Sequence, residues 1–551
     1  AMIFRTEFLA PLMGTTPERG PLGRTTRRMP PRYFPMVAPK QVVTVHRLAA
    51  DTDPAERALL LAPRNDLVLE EPDPAGGYRA ASGPFAVYHR AITEETEADG
   101  TLVLTETTDF ALAIGAWQVF FNPLVKRSLR HRRHADGKAP WWAPPDRFGA
   151  REASVLGMLC GLVMISGYLG TLITQTITFA ADEFGADDKA QGGALAAVRI
   201  GVVFSLAVMA VADRRGRRRM LIVSAVAGCA ATMVGALAPN LFWLGASQTV
   251  ARGFATALAL LVAVVAAEEM PAGSRAYAIS VLAMTAALGA GMAVWFLPLA
   301  DLGVSAWRAL YVIPVFGILL ALDIGRRLPE SHRYEVAHER APTRAHPRRV
   351  LLLAVSGFLL ALFTAPASQF QNEFLRSEHG FSALQITLFT LATSTPGGIG
   401  VLAGGHFADL RGRRQVGAIA VAGGVGLTVV MYLATGWGIW IASAIGSVIG
   451  AAAVPALGVY GPELFPTTSR GRSNGIISAV GVVGSSVGLL VAGSLSDRWG
   501  SFGPVMALLA IGPAILAVLI ITAYPETAHL ELEEINPEDQ VDTPELDASG
   551  Y

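Results

Sequence analysis

Only 16% of the 551 residues are charged, well short of the roughly 25% found in an ordinary soluble domain. That shortage argues against a soluble enzyme. Lys and Arg together number 44, as do Asp and Glu, so the net charge is zero and no basic field exists to hold nucleic acid. Cysteine is nearly missing: Cys160 and Cys229 lie inside apolar runs, leaving no disulfide framework and no metal cluster to build. A phosphate loop and His-Glu-x-x-His are lacking, and neither an enzymatic activity nor a cofactor is expected. No secretory signal pattern is read at the N-terminus, and Ala1 before Met2 reads as an added residue.

What the chain has is apolar length, 52% of its residues, concentrated after residue 150. From Ala153 to Ala180 no residue is charged, a run longer than the roughly 20 residues that cross a bilayer. Similar runs lie at about 190–212, 220–238, 241–267, 276–300 and 306–325, then at about 350–372, 381–408, 415–435, 438–462, 473–496 and 501–524. The pattern predicts an all-α membrane protein with twelve spans, six plus six. Arginines gather in the loops after the second span (Arg214, Arg215, Arg217, Arg218, Arg219) and the eighth (Arg411, Arg413, Arg414). The loop after the first span instead carries Asp182, Glu183, Asp187 and Asp188 with one Lys189. Because basic loops stay on the cytoplasmic side, both termini are expected there, as are a linker at 329–349 and an acidic tail at 526–551.

The halves share one polar punctuation. Asp213, Gly216, Arg217 and Arg218 recur as Asp409, Gly412, Arg413 and Arg414, while Glu268, Pro271 and Arg275 recur as Glu463, Pro466 and Arg470. Pro329-Glu330-Ser331 recurs as Pro525-Glu526-Thr527. Three marks in the same order imply a duplication, with one six-helix bundle at 152–328 and another at 350–525, and a pathway between them near the bilayer midplane.

Over roughly residues 150–535 these motifs resemble the major facilitator superfamily. The Asp-Arg-x-Gly-Arg-Arg loop at Asp213–Arg218 is its general signature. The Glu-x-x-Pro-x-x-x-Arg pair and the Pro-Glu-Thr tail followed by Leu532-Glu533-Glu534-Ile535 look like the branch of sugar porters and organic-ion transporters. The resemblance implies a secondary transporter for a small organic solute at the cytoplasmic membrane. It also implies a cytoplasmic gating network of Asp213, Arg217, Arg218, Glu268, Arg275, Asp409, Arg413, Arg414, Glu463 and Arg470, closed when the outer side is open.

Departures from the family are informative. Met209 stands where the first loop's glycine is expected, although Gly405 keeps it in the second. Thr249 replaces an arginine one turn before Gly253-Phe254. Gly167-Tyr168-Leu169 lacks the aspartate that sugar porters place in the first span, which argues against proton coupling. Arg199 and Arg252 are the charges deep in the spans. Lying 14 residues before Asp213 and 16 before Glu268, both sit at similar depth and can share an anion-binding cavity. Gln369, Gln371 and Asn372 in the seventh span are further substrate-contact candidates, and interhelical bonding is the alternative for all of these polar groups.

Residues 1–34, rich in Pro, Gly, Thr and Arg, read as a disordered tail. Asp53-Pro54-Ala55-Glu56 predicts a helix start. Phe85–His89 and Leu102–Thr105 read as strands around an Asp99-Gly100 turn. Trp117, Phe120, Phe121 and Leu124 then fall on one helical face, followed by a basic run from Lys126 to Arg133 that suits anionic headgroups. Residues 35–134 resemble the helix-grip fold of the SRPBCC (polyketide-cyclase) class, a small soluble α+β domain, with a linker at 135–151. The resemblance implies a hydrophobic ligand there; His89 is more simply a satisfied strand histidine. The partners expected are thus the substrate, the bilayer and that ligand, without nucleic acid. The rival reading is a non-transporting sensor or partner subunit that keeps the fold.

Overall fold

The computed structural model describes residues 38–49, 53–97, 101–131, 139–140, 142–186, 188–331, 346–381 and 383–539. The tail expected at 1–34 lies outside the described residues.

The N-terminal part is one antiparallel sheet with two helices. Its elements are β1 (Lys40–Leu48), α1 (Pro54–Leu61), β2 (Leu69–Pro72), β3 (Tyr78–Ser82), β4 (Phe85–Thr96), β5 (Leu102–Leu112) and α2 (Gln118–Arg130). The strand order is β1-β5-β4-β3-β2. α1 starts where the sequence predicts: the Asp53 carboxylate accepts the Ala55 N–H at 2.9 Å and Pro54 takes the first helical position. β4 and β5 pair as a long hairpin whose turn, with Asp99-Gly100, lies outside the described residues.

α2 buries a different face from the one expected. Asn122, Val125 and Leu129 meet the sheet, whereas Phe120 is 68% exposed. The reason lies at its start, where the Trp117 indole is engaged by the first membrane helix and donates from Nε1 to the Gly157 carbonyl at 2.9 Å.

Charge fills part of this domain's interior. Arg90 and Glu70 pair at 2.7 Å with both side chains fully buried, Arg64 reaches Glu106 at 3.3 Å, and the Tyr88 hydroxyl donates to Glu70 at 2.6 Å. Burial first, then the Glu70 carboxylate, pushes the Tyr88 phenol above its ordinary range. His89 is a satisfied strand histidine, its Nε2 paired with the Gly76 carbonyl at 2.9 Å.

The remainder is helical. Its first half holds α3 (Ala150–Phe184), α4 (Asp188–Arg215), α5 (Arg217–Gly235), α6 (Leu241–Glu269), α7 (Arg275–Trp295), α8 (Arg308–Val312) and α9 (Pro314–Arg327). The second half holds α10 (Pro347–Gln369), α11 (Gln371–Ser377), α12 (Ala383–Ser394), α13 (Gly397–Arg411), α14 (Arg413–Leu433), α15 (Trp437–Ala451), α16 (Ala453–Gly458), α17 (Tyr460–Glu463), α18 (Arg470–Trp499), α19 (Phe502–Leu509), α20 (Ile511–Ala523) and α21 (Leu532–Ile535).

Ten helical segments among the described residues are long and apolar enough to cross a membrane, so this is a multi-pass membrane protein. The other two expected spans are not among these ten. α4, of 28 residues, begins with residues whose side chains lie outside the described set. The span expected at 381–408 is split at Thr395-Pro396 into α12 and α13, of 12 and 15 residues.

Within the first half α3 packs on α6 and α7, and α4 and α5 pack on α6; within the second, α10 packs on α18 and α14 on α15 and α20. The halves meet where α7 crosses α13 and α4 crosses α18. Glycine sets these approaches: a Cβ at Gly405 would lie 2.8 Å from the Ala276 carbonyl of α7. At the other crossing Met209 is fully buried, and the gap is opened from the partner helix by Gly475, whose Cβ would lie 2.7 Å from Leu206.

Candidate functional site

The two Asp-x-x-Gly-Arg turns end on one face of the helical part. Gly216 and Gly412 adopt φ of +98° and +102°, a region in which a side chain is strained, and each turns the chain sharply into the next helix. The following helix starts therefore point their N–H groups outward. Glu330 accepts the Arg217 and Arg218 N–H groups at 2.8 and 2.9 Å, and Glu526 accepts those of Arg413 and Arg414 at 2.9 and 3.2 Å. These acidic caps suit the positive ends of α5 and α14.

Each aspartate then bridges the halves. Asp213, at the end of α4, accepts the Gly471 and Arg472 N–H groups of α18 at 3.0 and 2.8 Å, and Asp409, at the end of α13, accepts those of Ala276 and Tyr277 of α7 at 3.3 and 2.8 Å. The glutamates bridge as well. Glu268 takes a 2.6 Å bond from Arg470 and lies 3.7 Å from Arg217, while Glu463 lies 3.4 Å from Arg275 and pairs with Arg413. Arg217 donates to the Thr467 carbonyl at 2.7 Å and Arg413 to the Ala272 carbonyl at 3.0 Å. Bond for bond, the second set repeats the first with the halves exchanged. Arg217, Arg275, Arg413, Arg470, Glu268 and Glu463 all have fully buried side chains, which makes every pair expensive to break singly.

Arg218 and Arg414 stand apart from the network predicted to include them. The Arg218 guanidinium donates to the Gly325 carbonyl at 2.6 Å, and neither side chain forms an ion pair with a described residue. Both are one position beyond the arginine that the turn aims inward. Ser331 and Thr527, outside the predicted network, join it: Ser331 Oγ donates to Glu268 at 2.6 Å and Arg413 donates to Thr527 Oγ1 at 3.0 Å. The repeated Pro-Glu-Ser and Pro-Glu-Thr marks are the signal that points to them.

The expected acidic tail is part of this face up to Asp539. Leu532 and Ile535 are buried, Asp539 accepts the Thr467 hydroxyl at 2.9 Å, and Arg275 donates to the Leu530 carbonyl at 3.0 Å. The acidic residues there find arginines to oppose them.

The N-terminal domain reaches the same place. Trp142 and Ala143 pack on its core, and Arg147 donates to Asn65 Oδ1 at 2.9 Å. From this segment Asp146 accepts the Gly273 N–H at 2.9 Å and donates its own N–H to Ser274 Oγ at 2.8 Å, and the Tyr277 hydroxyl donates to the Trp142 carbonyl at 2.7 Å. Residues 272–277 are thus gripped by the N-terminal domain on one side and by Asp409, Arg413 and Glu463 on the other.

Arg199 and Arg252 lie near enough to repel one another, and Arg252 Nη1 donates to the Gly170 carbonyl at 2.6 Å. Neither arginine pairs with a carboxylate among the described residues. Gly201 brings α4 against α6 beside them, since its Cβ would lie 2.1 Å from the Thr249 carbonyl. Gln369 and Asn372 are exposed and Gln371 half-buried around the break at Phe370; no hydrogen bond ties their side chains to another described residue. Leu169 is buried where an aspartate would be expected, and the neighbouring Tyr168 hydroxyl donates to the Leu310 carbonyl at 2.7 Å.

Comparison with known proteins agrees with this geometry. Residues 146–346 match the Sugar (and other) transporter family and residues 353–544 match the Major Facilitator Superfamily. Both are families of transporters rather than enzymes. Among curated proteins the chain is 22% identical over 238 residues to the "Putative niacin/nicotinamide transporter NiaP" of Bacillus subtilis, across 41% of this chain and 59% of that protein. It therefore spans about three-fifths of that relative's length. The proton:xylose symporter XylE has a similar structure, with a TM-score of 0.60, 18% identity and coverage of 71% of this chain and 99% of that one. The human organic anion transporter TETRAN superposes with a TM-score of 0.54 at 15% identity, over 67% of this chain and 99% of that one. One transporter family is thus matched in each half, the Major Facilitator Superfamily in the second, on a fold shared with these proteins.

Proposed function

We propose that the protein is a secondary transporter that moves a small organic anion across the cytoplasmic membrane by alternating access. In this reading α4 and the α12–α13 pair complete twelve spans in two six-helix bundles, and the arginine-rich face with both termini lies in the cytoplasm. The observation that carries it is the doubled set of buried pairs between the halves, Glu268 with Arg470 and Glu463 with Arg275. Such pairs hold the cytoplasmic side shut and must part for the halves to rock.

Two arginines in neighbouring spans, neither paired with a carboxylate among the described residues, favour an anionic substrate group, which would supply the missing charge. The relative named for niacin/nicotinamide is named for a carboxylate and for its neutral amide, so a test panel includes both kinds. Uptake into proteoliposomes, measured for a panel of small carboxylates against neutral and cationic analogues, tests the proposal. Uptake of the neutral or cationic compounds alone would refute the anion assignment.

The N-terminal domain is assigned to the helix-grip type, supported by the strand order β1-β5-β4-β3-β2 and the final helix packed on the sheet. Its charged interior and its grip on residues 272–277 favour control of the gate over binding of a hydrophobic ligand. That same grip, with Leu169 in the first span, also suits a sensor that does not transport; binding without uptake of any panel member would select it.

A further inference from the structure

We propose that α2 is an interfacial helix that seats the N-terminal domain in the cytoplasmic lipid leaflet, with its apolar outer face in the acyl boundary and its basic end on anionic headgroups. The geometry at its start fixes the depth. Arg151 pairs with Glu269 at 3.0 Å where the first span meets the aqueous face. Gly157, which accepts the Trp117 indole N–H at 2.9 Å, lies less than two turns further into α3, about 9 Å at the α-helical rise. The chain just before α2 is pressed against that helix, because a Cβ at Gly157 would lie 3.1 Å from the Ile114 carbonyl. Trp117 thus sits at the level where indoles collect in membranes.

From that anchor α2 runs outward with its two faces already assigned. Asn122, Val125 and Leu129 are taken by the sheet. The opposite face carries Val119, Phe120 and Leu124, at 70%, 68% and 42% exposure, over its first half and Arg127 and Arg130 over its second. An apolar patch at the depth of the acyl boundary meets hydrocarbon; the arginines a turn or two further along meet the headgroups. This sequence of apolar then basic residues matches a helix tilted out of a leaflet, whereas a contact with a second protein copy would have no reason to begin beside the lipid-facing surface of α3.

The test uses the full chain in vesicles of phosphatidylcholine with phosphatidylglycerol. A polarity-sensitive fluorophore is placed at Phe120→Cys, the two native cysteines being buried. Lipids spin-labelled high on the acyl chain should quench it severalfold more than aqueous iodide, and more than lipids labelled near the chain terminus. Arg127→Gln with Arg130→Gln should reduce that lipid quenching in the anionic vesicles and leave it unchanged in phosphatidylcholine alone. Quenching by iodide and not by lipid would overturn the proposal. So would protection from both quenchers with energy transfer between differently labelled copies, which would assign the face to a protein contact. All three positions are exposed, so the substitutions leave the domain core intact.

Discussion

Glu268 and Arg470 stand 202 positions apart in the chain and meet at 2.6 Å with both side chains fully buried. Glu463 and Arg275 repeat the relationship with the halves exchanged. Burial makes each pair a two-position device: intact, it joins the halves, and parted in place it leaves two charges without partners.

Glu268→Gln and Glu463→Gln should each shift the protein towards states open on the arginine-rich face. Removing one member of a buried pair costs about 3–5 kcal/mol, enough to change the balance of states by a hundredfold or more. Cysteine-accessibility labelling of the cavity from each side reads the shift. Identical labelling in wild type and both variants would remove the gating role.

Arg252→Lys should weaken binding of an anionic substrate while the protein still folds. Lysine keeps the charge and loses the planar fork that can hold a carboxylate with two bonds, a loss on the order of 1–3 kcal/mol. Calorimetric or scintillation-proximity binding gives the affinity, and a thermal melt monitors the fold. Equal affinity in the variant would exclude Arg252 from the substrate site.

Asp146→Ala should loosen the cytoplasmic side without touching either half's ion pairs. It removes the carboxylate that accepts the Gly273 N–H, a charged hydrogen bond of about 1.5–3 kcal/mol, from the segment that also carries Arg275. Labelling of the cavity from that side should rise several-fold. If it stays at the wild-type level, the N-terminal domain does not control the gate through this contact.

Transport should respond weakly or not at all to an imposed proton gradient. Leu169 fills the first-span position of the expected aspartate, and Glu268 and Glu463 are each held between two arginines. Counterflow and gradient-driven uptake in the same vesicles separate the cases. Strong accumulation that a protonophore abolishes would identify a titrating group elsewhere, with His406 on α13 the first to replace.

The residues of the buried ion pairs between the halves were readable from the chain because duplication wrote them twice. A carboxylate and an arginine at matching offsets in both halves need a common reason, and charge in the middle of apolar length is costly enough to be conspicuous. The apolar runs likewise announced the long apolar helices, except where Pro396 divided α12 from α13. The paired depth of Arg199 and Arg252 followed from counting residues along helices of fixed rise.

Partner choice was not legible in the sequence. Arg217 and Arg218 are adjacent and chemically identical, and only the rotation imposed by the Gly216 turn buries one and sends the other to the Gly325 carbonyl. The acidic segment at 526–539 read as a tail because its charges look solvated until the arginines opposite them are in place. In α2 the stripe of Trp117, Phe120, Phe121 and Leu124 announced an amphipathic helix, but which side met the sheet depended on the capture of Trp117 by Gly157. Where hydrophobic length, turns and repeated charges fall can be read along the chain, because those depend on local spacing and transfer free energy. Which charge meets which, and which face of a helix is covered, is set by distant segments arriving at the same place, and emerges with the folded arrangement alone.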